Sequence, residues 1–133
     1  MKLKKIDNLS YSVIKFSSKE PVPNEFSTIR DFKSITYTDE ECSIVAPTGS
    51  INTDNALSVD DEWFIIKIVG VLDFSLVGIL TQLANPLAEN KISIFALSTY
   101  NTDYLLIKEK DKDKAINVLQ IVDMNLFKLY IVL

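Results

Sequence analysis

The residue types that carry most enzyme chemistry are scarce in this chain. Its 133 residues include no histidine, which removes the commonest general base and the commonest metal ligand. The single cysteine, Cys42, lies in an apolar run that predicts a buried strand, so we interpret it as a structural thiol. Catalysis would depend on carboxylates alone, with Glu40-Glu41 and Asp60-Asp61 as adjacent pairs in predicted loops. The sequence therefore predicts no catalytic residues, no metal site and no cofactor.

The composition is that of an ordinary globular protein and disfavours two classes of partner. Apolar residues make up 47% of the chain, and the net charge is −4, which argues against a nucleic-acid binder. We interpret Lys2, Lys4 and Lys5 as a solvated terminus, with a basic recognition arm as the alternative. The apolar stretches are shorter than the roughly 18 residues of a membrane span. With no signal-peptide core in Met1–Ser10, we expect a cytoplasmic protein that does not bind membranes.

The first half of the chain shows strand patterns joined by short connections. Leu9–Phe16 alternates as a strand does, and Phe32–Tyr37 and Ser43–Ala46 are further strand candidates. Asn24–Arg30 is long enough for a single helical turn only. Pro47–Asp61 is rich in Ser, Thr, Asn and Asp, so it is the predicted linker.

The second half shows a clearer alternation of strands and helices. Four strands are predicted, at Trp63–Val69, Ile92–Ser98, Tyr104–Lys108 and Leu126–Leu133. Two helices are predicted, one from an N-cap at Ser75 through a kink at Pro86 to Asn90, and one over Asp111–Val122.

This order of elements predicts the fold class. The elements of the second half follow one another as strand, helix, strand, strand, helix, strand. With right-handed crossovers, this order gives a four-stranded antiparallel sheet with both helices on one face. We therefore predict an α+β, ferredoxin-like βαββαβ domain over residues 62–133. Residues 1–61 are predicted to be a reduced, degenerate copy followed by the linker.

Three segments of the second half resemble a known family. They are Gly70–Gly78 (GVLDFSLVG), Pro86–Ala88 and Ile92–Ile107 (ISIFALSTYNTDYLLI). They are similar to ACT-domain proteins related to the cytosolic arginine sensors of animals. The first half resembles the abbreviated N-terminal ACT half of small bacterial members, through Phe32–Thr36, Asp39–Glu41 and Ser43–Val45. The linker and the tail after Asp123 lie outside this resemblance.

The resemblance implies regulation rather than chemistry. ACT domains bind amino acids or similar effectors at interfaces between paired domains. We therefore expect an amino-acid-binding regulatory or sensor protein that forms a homodimer, holds its ligand at an ACT–ACT interface and is not an enzyme. The alternative is a structural or protein-interaction module that has lost ligand binding.

Two polar segments suit the carboxylate and the ammonium of a free amino acid. The turn after Gly70 leads into a helix N-terminus, whose amides and dipole favour a carboxylate. The hairpin turn supplies hydroxyls and Asp103, which we interpret as the partner of the ammonium. The predicted ligand-binding residues are Asp73, Phe74, Ser75, Gly78, Ser98, Thr99, Thr102 and Asp103.

Each of these residues also has a plain structural interpretation. Ser75 fits a helix cap, Gly78 fits close packing of helix on sheet, and Phe74 fits a core or interface position. The hydroxyls and Asp103 fit hydrogen bonds within the turn. Because the two polar segments need not lie at the same end of one copy, we expect a site shared between units.

Overall fold

The computed structural model describes residues 2–69, 78–126 and 130–132. The described strands are β1 (Lys2–Lys5), β2 (Tyr11–Ser17), β3 (Ser34–Tyr37), β4 (Glu41–Pro47), β5 (Ser58–Val69), β6 (Ile94–Ser98), β7 (Asp103–Lys108) and β8 (Tyr130–Val132). The described helices are α1 (Ile79–Glu89) and α2 (Lys112–Leu126), with 3-10 segments at Asn24–Thr28 and Glu109–Asp111. The chain divides into a larger unit, Met1–Asn8 with Phe64–Leu133, and a smaller unit, Leu9–Trp63.

The larger unit has the predicted ferredoxin-like α+β fold, built from β5, α1, β6, β7, α2 and β8. Its strand order is β8-β1-β5-β7-β6. All four predicted strands are present, and the sheet has a fifth strand that we did not predict, β1, between β8 and β5. β1 runs antiparallel to β5, with Leu3 opposite Ile68, and β8 runs parallel to β1.

The lysine-rich start is therefore a strand and not a solvated terminus. Leu3 is fully buried, whereas Lys4 is exposed, as expected for alternating faces of a strand. The three lysines concealed this strand in the sequence, since Leu3 is the one apolar residue within β1. Its backbone hydrogen bonds to β5 depend on a partner more than sixty positions away in sequence.

The core of the larger unit forms between one face of the sheet and the two helices. Leu83 and Leu87 lie one helical turn apart on α1 and are both buried, as is Leu119 on α2. They pack with alternate residues of β5 and β7, which turn one face toward the helices. These sheet residues are Phe64, Ile66, Ile68, Leu105 and Ile107.

The start of α1 differs from the predicted one, and α2 extends to Leu126, beyond the predicted Val122. α1 begins at Ile79, later than the predicted Leu76, and its N-cap is Gly78. The predicted cap Ser75 lies outside the described residues. Pro86 is accommodated within α1, and Asn90 is the C-cap as predicted. Lys91 follows with a φ of 60°, and its N–H donates to the Ala88 carbonyl at 2.9 Å, closing the helix end.

The smaller unit has the strand order β3-β4-β2-β5, with the first half of β5 as its edge strand. Its connections include the 3-10 segment Asn24–Thr28 and the turns between β4 and β5. Its core contains Ile14, Phe16 and Ile44. The predicted linker is shorter than expected, because Pro47 ends β4 and β5 begins at Ser58.

Candidate ligand-binding site

The hairpin turn between β6 and β7 holds four of the predicted ligand-binding residues. The last paired residues of the two strands are Ser98 and Asp103. Across the turn, the Thr99 N–H donates to the Thr102 carbonyl at 2.9 Å, and the Thr99 hydroxyl donates to the same carbonyl at 3.1 Å. Tyr100 at the tip is 82% exposed. The Thr99 hydroxyl thus has the structural role that we considered as the alternative.

Thr102 fixes this turn to the neighbouring strand. Its side chain is 2% exposed, and its hydroxyl donates to the Ile68 carbonyl at 2.6 Å. Ile68 is the penultimate residue of β5, so the hairpin turn lies beside the carboxyl end of that strand. Residues 70–77, where the first predicted segment falls, follow directly from this end.

The expected meeting of the first strand–helix loop with the hairpin turn, within one copy or between units, stays a prediction, because residues 70–77 lie outside the described residues. The described residues show where the strand before that loop ends. In the larger unit, the end of β5 and the turn are in direct contact through Thr102 and Ile68. The physical reason is the right-handed crossover through α1, which makes β5 and β6 parallel and brings their carboxyl ends to the same edge.

Asp103 carries the one carboxylate of the turn. The Ser98 hydroxyl donates to Asp103 Oδ1 at 2.5 Å, which holds the carboxylate in one orientation. Asp103 is half-buried and Ser98 is exposed. A carboxylate has about four acceptor positions. The hydrogen bond from Ser98 therefore leaves Asp103 with capacity for a further donor.

Gly78 begins α1 in the left-handed backbone region, with a φ of 84°. A Cβ built at this position would meet no atom of the described residues within 4 Å. The backbone conformation at this position favours glycine. The N–H groups of the first helical turn that follows have no acceptor within a helix, as at any helix start.

The remaining predicted residues, Asp73, Phe74 and Ser75, lie outside the described residues. The structure brings together Ser98, Thr99, Thr102 and Asp103 in one turn, and Gly78 lies at the start of α1.

Gln82, also in the first part of α1, was not predicted. Its side-chain oxygen is buried and has no hydrogen-bond partner among the described residues. The sequence carries no signal for it, since a glutamine in an amphipathic helix is normally solvated.

The carboxylate pairs considered for catalysis both lie in the smaller unit, with Glu41 as the first residue of β4. Asp60 and Asp61 lie within β5 and not in a loop, next to an irregularity in the pairing of β5 with β2. Asp61 accepts a hydrogen bond from the buried Ser12 at 2.5 Å. Within residues 2–69, 78–126 and 130–132, no three His, Cys, Asp or Glu side chains are grouped to hold a metal ion.

Two groups with shifted pKa values also lie away from the hairpin turn. Burial raises the pKa of the Cys42 thiol, which favours the neutral form and a structural role. The pKa of Lys5 is lowered, chiefly by a hydrogen bond with Lys112. Burial and the positive charge of Lys112 lower it further. Lys112 also lies 6.0 Å from the ring centre of Phe64.

A groove of about 430 Å³ lies in the smaller unit and contains none of the predicted site residues. Phe16 contributes to its lining, between the Glu20–Glu25 segment and the Asn52–Asn55 turn. Asn55 donates to Glu20 at 3.0 Å, and the Asn52 N–H donates to Glu25 at 3.2 Å, so hydrogen bonds join the two segments.

In the part of the chain that the structure describes, no helix has the length and apolar character needed to cross a bilayer.

Comparison with known proteins identifies the family. Residues 58–120, which include the hairpin turn and α1, match the model of the ACT domain. The chain is 33% identical over 110 residues to the cytosolic arginine sensor for mTORC1 subunit 1 of Homo sapiens. That match covers 78% of this chain and 32% of the human protein, so the chain spans about a third of the length of the curated relatives it matches.

Solved structures extend the similarity to the whole described fold. A protein of Agrobacterium tumefaciens, solved by X-ray crystallography, has a TM-score of 0.85 at 32% identity, covering 98% of this chain and 91% of that one. The alpha and beta subunits of an aspartokinase have a TM-score of 0.61 at 20% identity, covering 92% and 97%, which shows a shared fold. The chain belongs to the ACT-domain family.

Proposed function

We propose that this chain is a regulatory or sensor protein that binds a free amino acid, or a similar small zwitterion. Binding would take place at the edge of the larger unit where β5 and the hairpin turn end. The single observation that carries the proposal is the hydrogen bond from Thr102 to the Ile68 carbonyl. It joins a turn with a carboxylate to the strand that leads, through residues 70–77, to the start of α1.

Charge and hydrogen-bonding capacity at this edge suit the two ends of a zwitterion. Asp103, oriented by Ser98, is the proposed acceptor for the ammonium. The N–H groups that follow Gly78, with the positive end of the helix dipole, are the proposed donors for the carboxylate. Asp73, Phe74 and Ser75 complete the proposed set, while Thr99 and Thr102 position the turn.

The comparisons support the type of ligand and the regulatory role. One relative is named as a cytosolic arginine sensor. We propose by analogy a cytoplasmic homodimer that holds the ligand at an ACT–ACT interface, without catalytic activity. A ligand at such an interface shifts the equilibrium between two arrangements by its differential affinity for them.

We also propose that residues 1–61 contain a reduced ACT-like half and that residues 62–133 form the ACT domain. The strand order of the smaller unit supports this assignment. β5-β2-β4-β3 is the order in which the four strands of a ferredoxin-like domain lie, with the helices replaced by shorter segments.

A second candidate is an interaction module that has no small-molecule ligand. The observation in its favour is that the Thr99 and Thr102 hydroxyls are both used inside the protein. If only Ser98 and Asp103 of the four predicted hairpin residues remain for a ligand, the turn offers that ligand fewer contacts than we predicted.

A thermal-shift screen with the twenty amino acids separates the two candidates. An effector at 100 times its Kd should stabilise the protein by about 2.7 kcal/mol, whereas an interaction module should respond to none of them. Equilibrium dialysis of any amino acid that raises the melting temperature gives its stoichiometry. Absence of a response to all twenty would contradict the proposed function.

Replacing Asp103 tests the proposed ammonium contact. Asp103→Ala should abolish binding of the amino acid identified in the screen, while the free energy of unfolding changes by less than about 1 kcal/mol, as for other turn residues. Asp103→Asn removes the charge but keeps an oxygen for the Ser98 hydroxyl. Asp39→Ala, in the exposed turn between β3 and β4, is the control and should leave binding unchanged. Binding by Asp103→Ala at the parent affinity would show that the ammonium assignment is wrong.

A further inference from the structure

Gln82 on α1 carries a buried hydrogen-bond acceptor that no described residue uses. Its Oε1 has no hydrogen-bond partner among the described residues, although the atom is shielded from solvent. Buried side-chain oxygens in folded proteins nearly always have a partner, because an unpaired one destabilises the native state. An exception calls for a physical reason, and a group supplied from outside the chain is one such reason.

The position of Gln82 places this acceptor near the start of α1. Gln82 is the fourth residue of the helix, and its N–H donates to the Gly78 carbonyl at 2.9 Å. Helical side chains lean toward the N-terminus, so that of Gln82 extends over the turn that contains Gly78 and Ile79. A Cβ at Gly78 would meet no atom of the described residues within 4 Å.

The chemistry at this turn is complementary to one class of ligand. The N–H groups at the helix start can only donate, and a carboxamide oxygen can only accept. A molecule that brings both a carboxylate and an N–H donor satisfies the two at once. We infer that Gln82 is a ligand-contacting residue, whose Oε1 accepts a hydrogen bond from an N–H of the bound amino acid. This inference rests on the proposed function and adds a specificity-determining residue to it.

The first test needs no ligand. Gln82→Met keeps the length and helix propensity of the side chain but removes the unpaired oxygen. The melting temperature of the ligand-free protein should therefore rise, by about 3 to 6 °C. Gln120→Met, at an exposed position on α2, is the matched control and should shift it by less than about 1 °C. A fall in the melting temperature of Gln82→Met would show that Oε1 has a structural partner, and would overturn the inference.

The second test uses the amino acid that gives the largest thermal shift with the parent protein. Gln82→Met should weaken its binding by about tenfold or more, as expected for losing a hydrogen bond to a charged donor. Gln120→Met should bind it as the parent does. A more stable Gln82→Met protein with lower affinity is the combination expected of a ligand-contacting residue, and a purely structural residue would not produce it.

The outcomes separate this inference from the proposed function. If the parent binds an amino acid and Gln82→Met binds it equally well, the inference is wrong and the proposed function stands. If none of the twenty amino acids binds the parent, the proposed function fails and the role of Gln82 fails with it. If Asp103→Ala abolishes binding while Gln82→Met does not affect it, the ligand lies at the hairpin turn without reaching Gln82.

Discussion

Replacing Thr102 with valine tests whether its hydroxyl anchors the hairpin turn to β5. Valine has nearly the same shape as threonine, so the change removes the hydroxyl without leaving a cavity. The hydroxyl donates to the Ile68 carbonyl at 2.6 Å, and the Thr102 side chain is 2% exposed. The substitution therefore leaves the carbonyl oxygen without this donor in a place that water does not reach.

The expected cost follows from that burial. An intramolecular hydrogen bond contributes about 1 kcal/mol net, and leaving a buried acceptor unsatisfied costs about 1–3 kcal/mol. We expect Thr102→Val to lower the free energy of unfolding by about 1–3 kcal/mol, the cost of the unsatisfied acceptor. Thr99→Val is the matched control, because Thr99 is exposed and its hydroxyl donates to the Thr102 carbonyl at 3.1 Å. Its cost should be below about 1 kcal/mol.

Urea denaturation followed by far-UV circular dichroism measures both variants against the parent protein. Amide hydrogen exchange adds a local measurement, since the Thr99 N–H is bonded to the Thr102 carbonyl across the turn. This amide should exchange faster in Thr102→Val, because the turn has lost its attachment to β5. Equal stabilities of the two valine variants would refute the argument that the Thr102 hydroxyl fixes the turn.

Three further predictions concern the helices and the buried thiol. Lys91→Gly should raise the free energy of unfolding by about 0.5–1 kcal/mol, because Lys91 has a φ of 60°; a loss measured by urea denaturation would contradict this. Leu119→Ala should cost about 2–5 kcal/mol, whereas Ile121→Ala, at an exposed position on the same helix, should stay within about 0.5 kcal/mol. Burial raises the pKa of the Cys42 thiol, so stability should fall as the pH rises above the ordinary thiol value of about 8.5. Cys42→Ala should show a smaller fall, and an identical pH profile would mean that the thiol is not shielded from solvent.

The sequence was sufficient to predict the elements whose pattern is local. Leu83 and Leu87 recur at helical spacing, and the apolar run of Trp63–Val69 is long enough to identify a central strand. The order of elements in the second half then leads to the ferredoxin-like class, because few topologies satisfy right-handed crossovers with short connections. The hairpin turn was also predictable, since five polar residues separate two strand patterns.

The features that the sequence did not reveal depend on contacts between distant residues. Lys2–Lys5 has no pattern of its own and is a strand only because its backbone pairs with β5. The linker was overestimated because Ser58–Asp61, polar in sequence, is held as a strand by its pairing with β2. In both cases hydrogen bonds from another part of the chain outweigh a weak local preference.

The candidate site also has a part that the sequence predicted and a part that depends on contacts between distant residues. Residue types alone indicated a turn with hydroxyls and a carboxylate at Ser98–Asp103, since such side chains are what a turn and a polar ligand both require. The tertiary structure decided that Thr102 bonds to Ile68 and that Gln82 buries an acceptor that no described residue uses. A hydrogen bond between residues 34 positions apart exists only once the sheet has brought them together, so no local pattern could have specified it.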